Sequence, residues 1–417
     1  MIFDVVVVGG GPGGSVCAAR LAEHGLRVLV LERERFPRFH LGESLLPQSM
    51  PVLDALGLMP EMKARFLEKH GARFHQDEPA RSERYQFATA FDSRCTSAFQ
   101  VPRDEFDDLL LRTAEKKGAE VRHEWTVKRL RFEGDRAVGV EAVDPAGAVH
   151  SIDARFVVDA SGRDALLAGD RRAKSRIDRL DKSAFYSHYR GVPRGAGMEE
   201  GDIDIVVFEH GWFWFIPFKD GRTSVGAVVG SAWVKEHRDA GDATGMLARA
   251  VSQSPTAQRL LAQATPLWPA RAAADYSYRV GETTGHGWLM VGDAAGFIDP
   301  LFSSGAHIAM RTAYAAADRI HEALSAGDVS PARFAGWVAE AQLGSATFTD
   351  AVHAFYAGGL LRYVFAEKQH TFLRRSVTSL LSGDVYSLDA RWIKDVRTRL
   401  AEMASADWKP DAVVGVG

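Results

Sequence analysis

A chain of 417 residues with 46% hydrophobic side chains is too long for one small core and rich enough to bury a large one, so two or more interlocked domains are expected. Its 51 basic and 54 acidic residues leave a net charge of -3, which argues against a nucleic-acid groove or an anionic membrane as main partner and for a small one. Two cysteines, Cys17 and Cys95, exclude a disulfide framework; no Cys/His metal cluster is visible, and no apolar run reaches the roughly 20 residues of a membrane span, so a cytoplasmic protein without metal is expected.

Residues 3–8 read as a β-branched strand covered on both faces. Gly9, Gly11 and Gly14 follow in the G-x-G-x-x-G spacing, which serves a tight turn, the approach of backbone to a pyrophosphate, and the packing of the next helix on the strand. A helix with Val16, Ala19 and Leu21 among its apolar positions leads to a second strand at 27–31 and then Glu32, 18 residues past Gly14, where a carboxylate accepts hydrogen bonds from an adenosine ribose. NAD and FAD both use this unit, so the choice falls to later residues.

From about 71 to 99 and from 184 to 275 apolar and polar positions alternate, as in "DIDIVVFEHGWFWFIPF" and "TSVGAVVG", which predicts antiparallel strands. Between them "VVDASGR" is a buried strand ending in small residues, suited to backbone passing close to a cofactor. At 288–291 another strand runs into Gly292 and Asp293, then small residues, then a helix beginning near Ser304; an Asp there can bind a ribityl hydroxyl while the helix N-terminus faces the flavin end of the cofactor, or simply cap an ordinary turn. Beyond about 330 the pattern turns helical and aromatic, either packing on the core or lidding a cavity.

The order of the three nucleotide-type elements resembles the FAD-dependent monooxygenase superfamily. "GESLLPQSMPVLDALGL", "FLEKHGARF", "GWFWFIP" and "DPLFSSGAH", in that order, resemble the flavin-dependent halogenases over about the first 350 residues. The resemblance implies an α/β fold: a Rossmann-like FAD domain from 1–70, 100–183 and 276–330, an antiparallel-sheet substrate domain from 71–99 and 184–275, and a helical region at 331–417. It makes Lys69 the catalytic residue that takes hypohalous acid and delivers electrophilic halogen. It places Gly9, Gly11, Gly14 and Glu32 on the ADP half of FAD, Arg103 near the pyrophosphate, Asp293 on the ribityl chain and Ser44 near the isoalloxazine. Ser304 and Gly305 become the chloride or bromide pocket.

The motif W-x-W-x-I-P, here Trp212, Trp214, Ile216 and Pro217, becomes a wall that keeps the organic ring from the flavin, so that the oxidant made there meets a halide instead. Phe302 stands where tryptophan halogenases carry a glutamate, which points to the branch acting on phenols, pyrroles or related rings, some carried on a carrier protein. No second nucleotide fingerprint is visible, which fits a separate reductase as the source of reduced FAD. An FAD-dependent hydroxylase and a reductase of the geranylgeranyl-reductase type remain the alternatives.

Overall fold

The computed structural model describes residues 2–167, 174–274, 276–387, 390–405 and 407–409. The chain opens with β1 (Phe3–Val8), α1 (Pro12–Glu23) and β2 (Val28–Glu32). The second strand thus ends one residue later than the sequence predicts and includes Glu32. Then come β3 (Leu67–Lys69), β4 (Gly71–Gln76), β5 (Arg81–Gln86), β6 (Ala98–Gln100) and α2 (Arg103–Lys116). The strands β7 (Glu120–His123), β8 (Thr126–Glu133), β9 (Arg136–Val143) and β10 (Val149–Asp159) follow.

The middle of the chain supplies β11 (Lys182–Arg190), β12 (Ile203–Phe208), β13 (Gly211–Pro217) and β14 (Arg222–Gly230). After β15 (Trp288–Met290) and α3 (Ser304–Ala326), the remainder is helical: α4 (Ala335–Tyr356), α5 (Gly359–Val364), α6 (Thr371–Ser382) and α7 (Arg391–Met403).

The first sheet contains the run β15–β10–β1–β2–β7, in which every neighbouring pair is parallel, and residues 284–285 pair antiparallel with β15 at its edge. Val5 and Val7 of β1 pack with Val16 and Leu21 of α1 and Ala313 of α3, whereas Val6 and Val8 pack with Leu130, Val140 and Trp288 on the other side. A strand covered on both faces needs no polar alternation, which is why β1 reads as unbroken valine. Strand β10 serves two partners: its first half runs antiparallel to β9 and its second half parallel to β1. Registers Val8↔Leu31, Val8↔Asp159 and Asp159↔Met290 bring the carboxyl ends of four strands level along one edge. In open parallel sheets that edge is the ligand crevice.

The second sheet runs β11–β14–β13–β12–β4–β5. Its pairs are antiparallel except β4 with β12. Along β13 the period of two separates the aromatics. Trp212, Trp214 and Ile216 join a core with Phe87, Phe302, Phe348, Phe355, Leu373 and Leu380, while Phe213 and Phe215 pack on Trp233, Met246 and Leu247 behind the sheet. The helices after residue 330 therefore cover the tryptophan-bearing face itself.

Candidate active site

The glycine turn between β1 and α1 meets all three demands of its spacing. Gly9 has φ +98, and a Cβ on it would stand 2.5 Å from the Ala160 carbonyl oxygen. A Cβ on Gly14 would stand 1.9 Å from the Gly9 carbonyl oxygen, so any side chain there would push α1 off the strand. Gly11 differs: a Cβ there would meet only Arg38 Nη2, at 3.6 Å, leaving its face open to an incoming group. Beside the turn Glu32, 4% exposed, accepts the Gly10 N–H at 2.6 Å and the Glu34 N–H at 2.8 Å.

Two arginines stand at this edge. Arg103 grips Asp107 through two parallel bonds of 2.7 and 2.9 Å, and its Nη1 holds the Leu41 carbonyl at 2.5 Å. The guanidinium expected near the pyrophosphate is thus spent on fixing loop 41–42, with the Asp293 and Glu43 carboxylates within its field. Arg38 is held more loosely, by ion pairs of 3.4 Å to Glu34 and Asp107 and by the Phe36 ring beneath it; its Nη1 is buried with no hydrogen-bond partner among the described residues, while Nη2 overhangs Gly11. It carries no motif that would mark it in the sequence.

Asp293 occupies the turn after β15, with Oδ1 3.8 Å from the point where a Cβ on Gly305 would stand. Burial pushes its carboxyl up to about 6, against the opposing fields of Arg103 and Arg163. An open glycine face, an orphaned buried guanidinium nitrogen and two carboxylates spaced along one edge are the donor and acceptor set that the pyrophosphate, ribose and ribityl groups of FAD require.

Lys69 ends β3, pairs across to Ala98 and is 1% exposed. Its Nζ donates to Ser44 Oγ at 2.8 Å and to the Leu45 carbonyl at 3.1 Å, and lies 5.2 Å from the centre of the Phe87 ring. Burial lowers its pKa to about 7, partly offset by the Asp202 carboxylate. Asp202 is itself 3% exposed; its Oδ2 accepts Arg84 Nε at 2.6 Å and its Oδ1 has no partner among the described residues. Ser44 bridges backbone to backbone with Gln100, whose side chain donates to the Gly201 carbonyl at 2.9 Å. The loop carrying Ser44 is fastened to the second sheet by a buried contact of 2.8 Å between Glu43 Oε1 and His188 Nε2.

Phe87 belongs to the same apolar layer as Trp212, Trp214, Ile216 and Phe302, so the amine of Lys69 borders the layer that holds the tryptophan wall. Trp214 lies flat over Gly226 of β14, where a Cβ would fall 2.2 Å from the indole, and donates to Ser224 Oγ at 3.0 Å. Phe302, 2% exposed, faces Phe348 with ring centres 6.4 Å apart. After it Ser303 turns left-handed at φ +53, and α3 starts at buried Ser304 and half-buried Gly305 with no side chain capping its first N–H groups.

One turn on, His307 is fully buried. The Gly383 carbonyl, 3.0 Å away, only accepts, so Nε2 carries the proton and Nδ1 accepts from Ser49 Oγ at 2.9 Å. Burial lowers its pKa to about 4, making it a neutral tether and not a base.

A family model described as tryptophan halogenase matches residues 4–93 and 76–359. The chain belongs to this family of flavin-dependent halogenases. It is 35% identical over 332 residues to a tryptophan 2-halogenase of Chondromyces crocatus, covering 79% of this chain and 62% of that protein. It is 30% identical over 419 residues to a 1H-pyrrole-2-carbonyl-[peptidyl-carrier protein] chlorinase of Pseudomonas fluorescens, covering 92% of this chain and 90% of that one. Among solved structures, a flavoprotein/dehydrogenase of Cytophaga hutchinsonii is similar at TM-score 0.89 and 29% identity, covering 97% of this chain and 98% of that one. The halogenase family is FAD-dependent, in keeping with the fit of the strand edge to that cofactor. Among the described residues no helix is long and apolar enough to cross a membrane.

Proposed function

We propose that this chain halogenates an electron-rich aromatic or heteroaromatic ring using reduced FAD, dioxygen and chloride or bromide. The observation that carries this reading is Lys69: an amine held inside the protein beside the tryptophan wall, with a pKa lowered to about 7. When bound, reduced FAD supplies the activation of dioxygen. Gly11 and Arg38 would hold its pyrophosphate, Glu32 its ribose and Asp293 its ribityl chain, while Ser44 ties Lys69 to its own loop. The first N–H groups of α3, at Ser304 and Gly305, hold the halide. Trp212, Trp214, Ile216 and Pro217 keep the organic ring on the far side.

In its neutral form Lys69 has two N–H bonds, and Ser44 Oγ and the Leu45 carbonyl take both. The nitrogen lone pair is left to attack the halogen of hypohalous acid: the N–X bond forms, the X–O bond breaks, and the oxygen leaves as water with one amine proton. The ring carbon then takes the halogen from nitrogen, and the C–H proton returns to the amine. Phe302 against Phe348 gives the ring an apolar berth without a carboxylate for a free amino acid.

The substrate class follows the Pseudomonas relative: a phenol, pyrrole or similar ring, free or tethered to a carrier protein, with a separate reductase supplying reduced FAD. The test gives the purified protein reduced FAD, dioxygen and bromide or chloride with phenol and pyrrole substrates, free and carrier-bound. Halogenated product by mass spectrometry is expected. The likeness to a flavoprotein/dehydrogenase favours one other reading, an FAD oxidoreductase that needs no halide. Substrate oxidation or reduction independent of halide, with no halogenated product, would establish that reading instead.

A further inference from the structure

The tryptophan wall, the last turn of α4 and the turn before α3 are joined by one chain of part-buried hydrogen bonds. Trp212 Nε1 lies 3.0 Å from Tyr356 Oη, and Tyr356 Oη lies 3.0 Å from Asp299 Oδ2. With Asp299 as the carboxylate the direction follows from the donors: an indole N–H only donates, so the Tyr356 oxygen accepts it, and the tyrosine proton goes to Asp299. Asp299 is 2% exposed, and its other oxygen accepts the Leu301 N–H at 3.0 Å. That bond closes the Pro300–Phe302 turn, which passes through left-handed Ser303 into Ser304 at the start of α3. On the far face of the tyrosine the Lys182 ammonium lies 4.3 Å from the ring centre, pinning it from the second sheet.

We propose that Tyr356 is a positioning residue for the halide end of α3, holding the Asp299 turn in register with the tryptophan wall so that halide and wall keep one geometry. The inference rests on the assignment of Ser304 and Gly305 to the halide. It makes the end of α4, far along the chain from every motif of the wall and halide turn, part of the halide-binding machinery, acting through Asp299 and touching no reactant.

The test uses full-length, FAD-loaded protein and the variants Tyr356→Phe, Trp212→Phe and their combination. Halide KM and kcat are measured with a saturating phenol, with FAD affinity and thermal midpoint as structural readouts. Loss of one hydrogen bond to a buried carboxylate predicts a halide KM raised roughly tenfold in Tyr356→Phe. The KM for the phenol and the affinity for FAD change by less than the halide KM, because Phe302 beside the ring is also held by Phe348 and Asp293 belongs to the separate turn after β15. Trp212→Phe moves halide KM in the same direction by less, and the double variant is no worse than Tyr356→Phe, because both act along one chain.

An unchanged halide KM in Tyr356→Phe, or effects that multiply in the double variant, overturns the inference while leaving the halogenase reading intact. A rise shared equally by halide KM, phenol KM and FAD dissociation marks a general loss of packing and also overturns it. Halide-independent turnover by the unaltered protein overturns the parent reading and this inference together.

Discussion

Burying the Lys69 amine among Phe87 and the Ser44–Leu45 loop opposes folding for as long as that amine is charged in the unfolded chain. Its pKa falls from 10.5 to about 7 on folding, so between those values the unfolded chain binds more protons and stability rises with pH. Lys69→Met should therefore stabilise the protein by on the order of a few kcal/mol below pH 7, a gain that shrinks toward zero as pH approaches 10.5, read by denaturant titration across that range. Catalysis through the neutral amine should rise with pH through about 7. The Asp202 carboxylate favours the charged form, so Asp202→Asn should move that midpoint to lower pH; an upward shift in the halogenation profile would contradict its place beside Lys69. The motif "FLEKHGARF" marked Lys69, but nothing in the sequence marked Asp202, which reaches Lys69 only because β12 folds beside β4. Arg103 shows the opposite limit: its burial and its salt bridge with Asp107 are structural facts that an isolated arginine in a sequence does not disclose.

Alternation along an element carries much of what was legible. The spacing of "GWFWFIP" predicted a strand, and the strand is there, but its two aromatic pairs do different work. The tryptophans border the site while Phe213 and Phe215 fill the core behind the sheet. The tryptophan side further requires a bare backbone on its neighbour: Gly226→Ala would drive a Cβ to 2.2 Å from the Trp214 ring. Such overpacking should destabilise the protein by about 1–3 kcal/mol, measured as a shift in denaturant midpoint. The parallel pairing of β4 with β12 was not legible, because strands so far apart in sequence announce their composition but not their partner. Nor was the cover over the wall: helical spacing after residue 330 predicted helices without saying which face they bury.

Across the whole molecule, the proposed cofactor edge is assembled from distant pieces that only the first sheet brings level: the turn after β1, Glu32 at the end of β2, Asp159 closing β10 and Asp293 after β15. Strand registers of this kind explain why three separate short motifs pointed to one site. Arg38 completes that edge, and Arg38→Ala should weaken FAD binding by about tenfold or more while leaving the thermal midpoint of the FAD-free protein in place. Unchanged FAD affinity would assign the pyrophosphate to another group.

The division of labour between that edge and the buried amine is the central claim, and one comparison tests it most directly. Lys69→Met and the unaltered protein are each supplied with reduced FAD, dioxygen and bromide together with an electron-rich phenol, while flavin oxidation and brominated phenol are followed in the same sample. Flavin oxidation at an undiminished rate with brominated product lost in the variant is the predicted result. Undiminished bromination by Lys69→Met would contradict it.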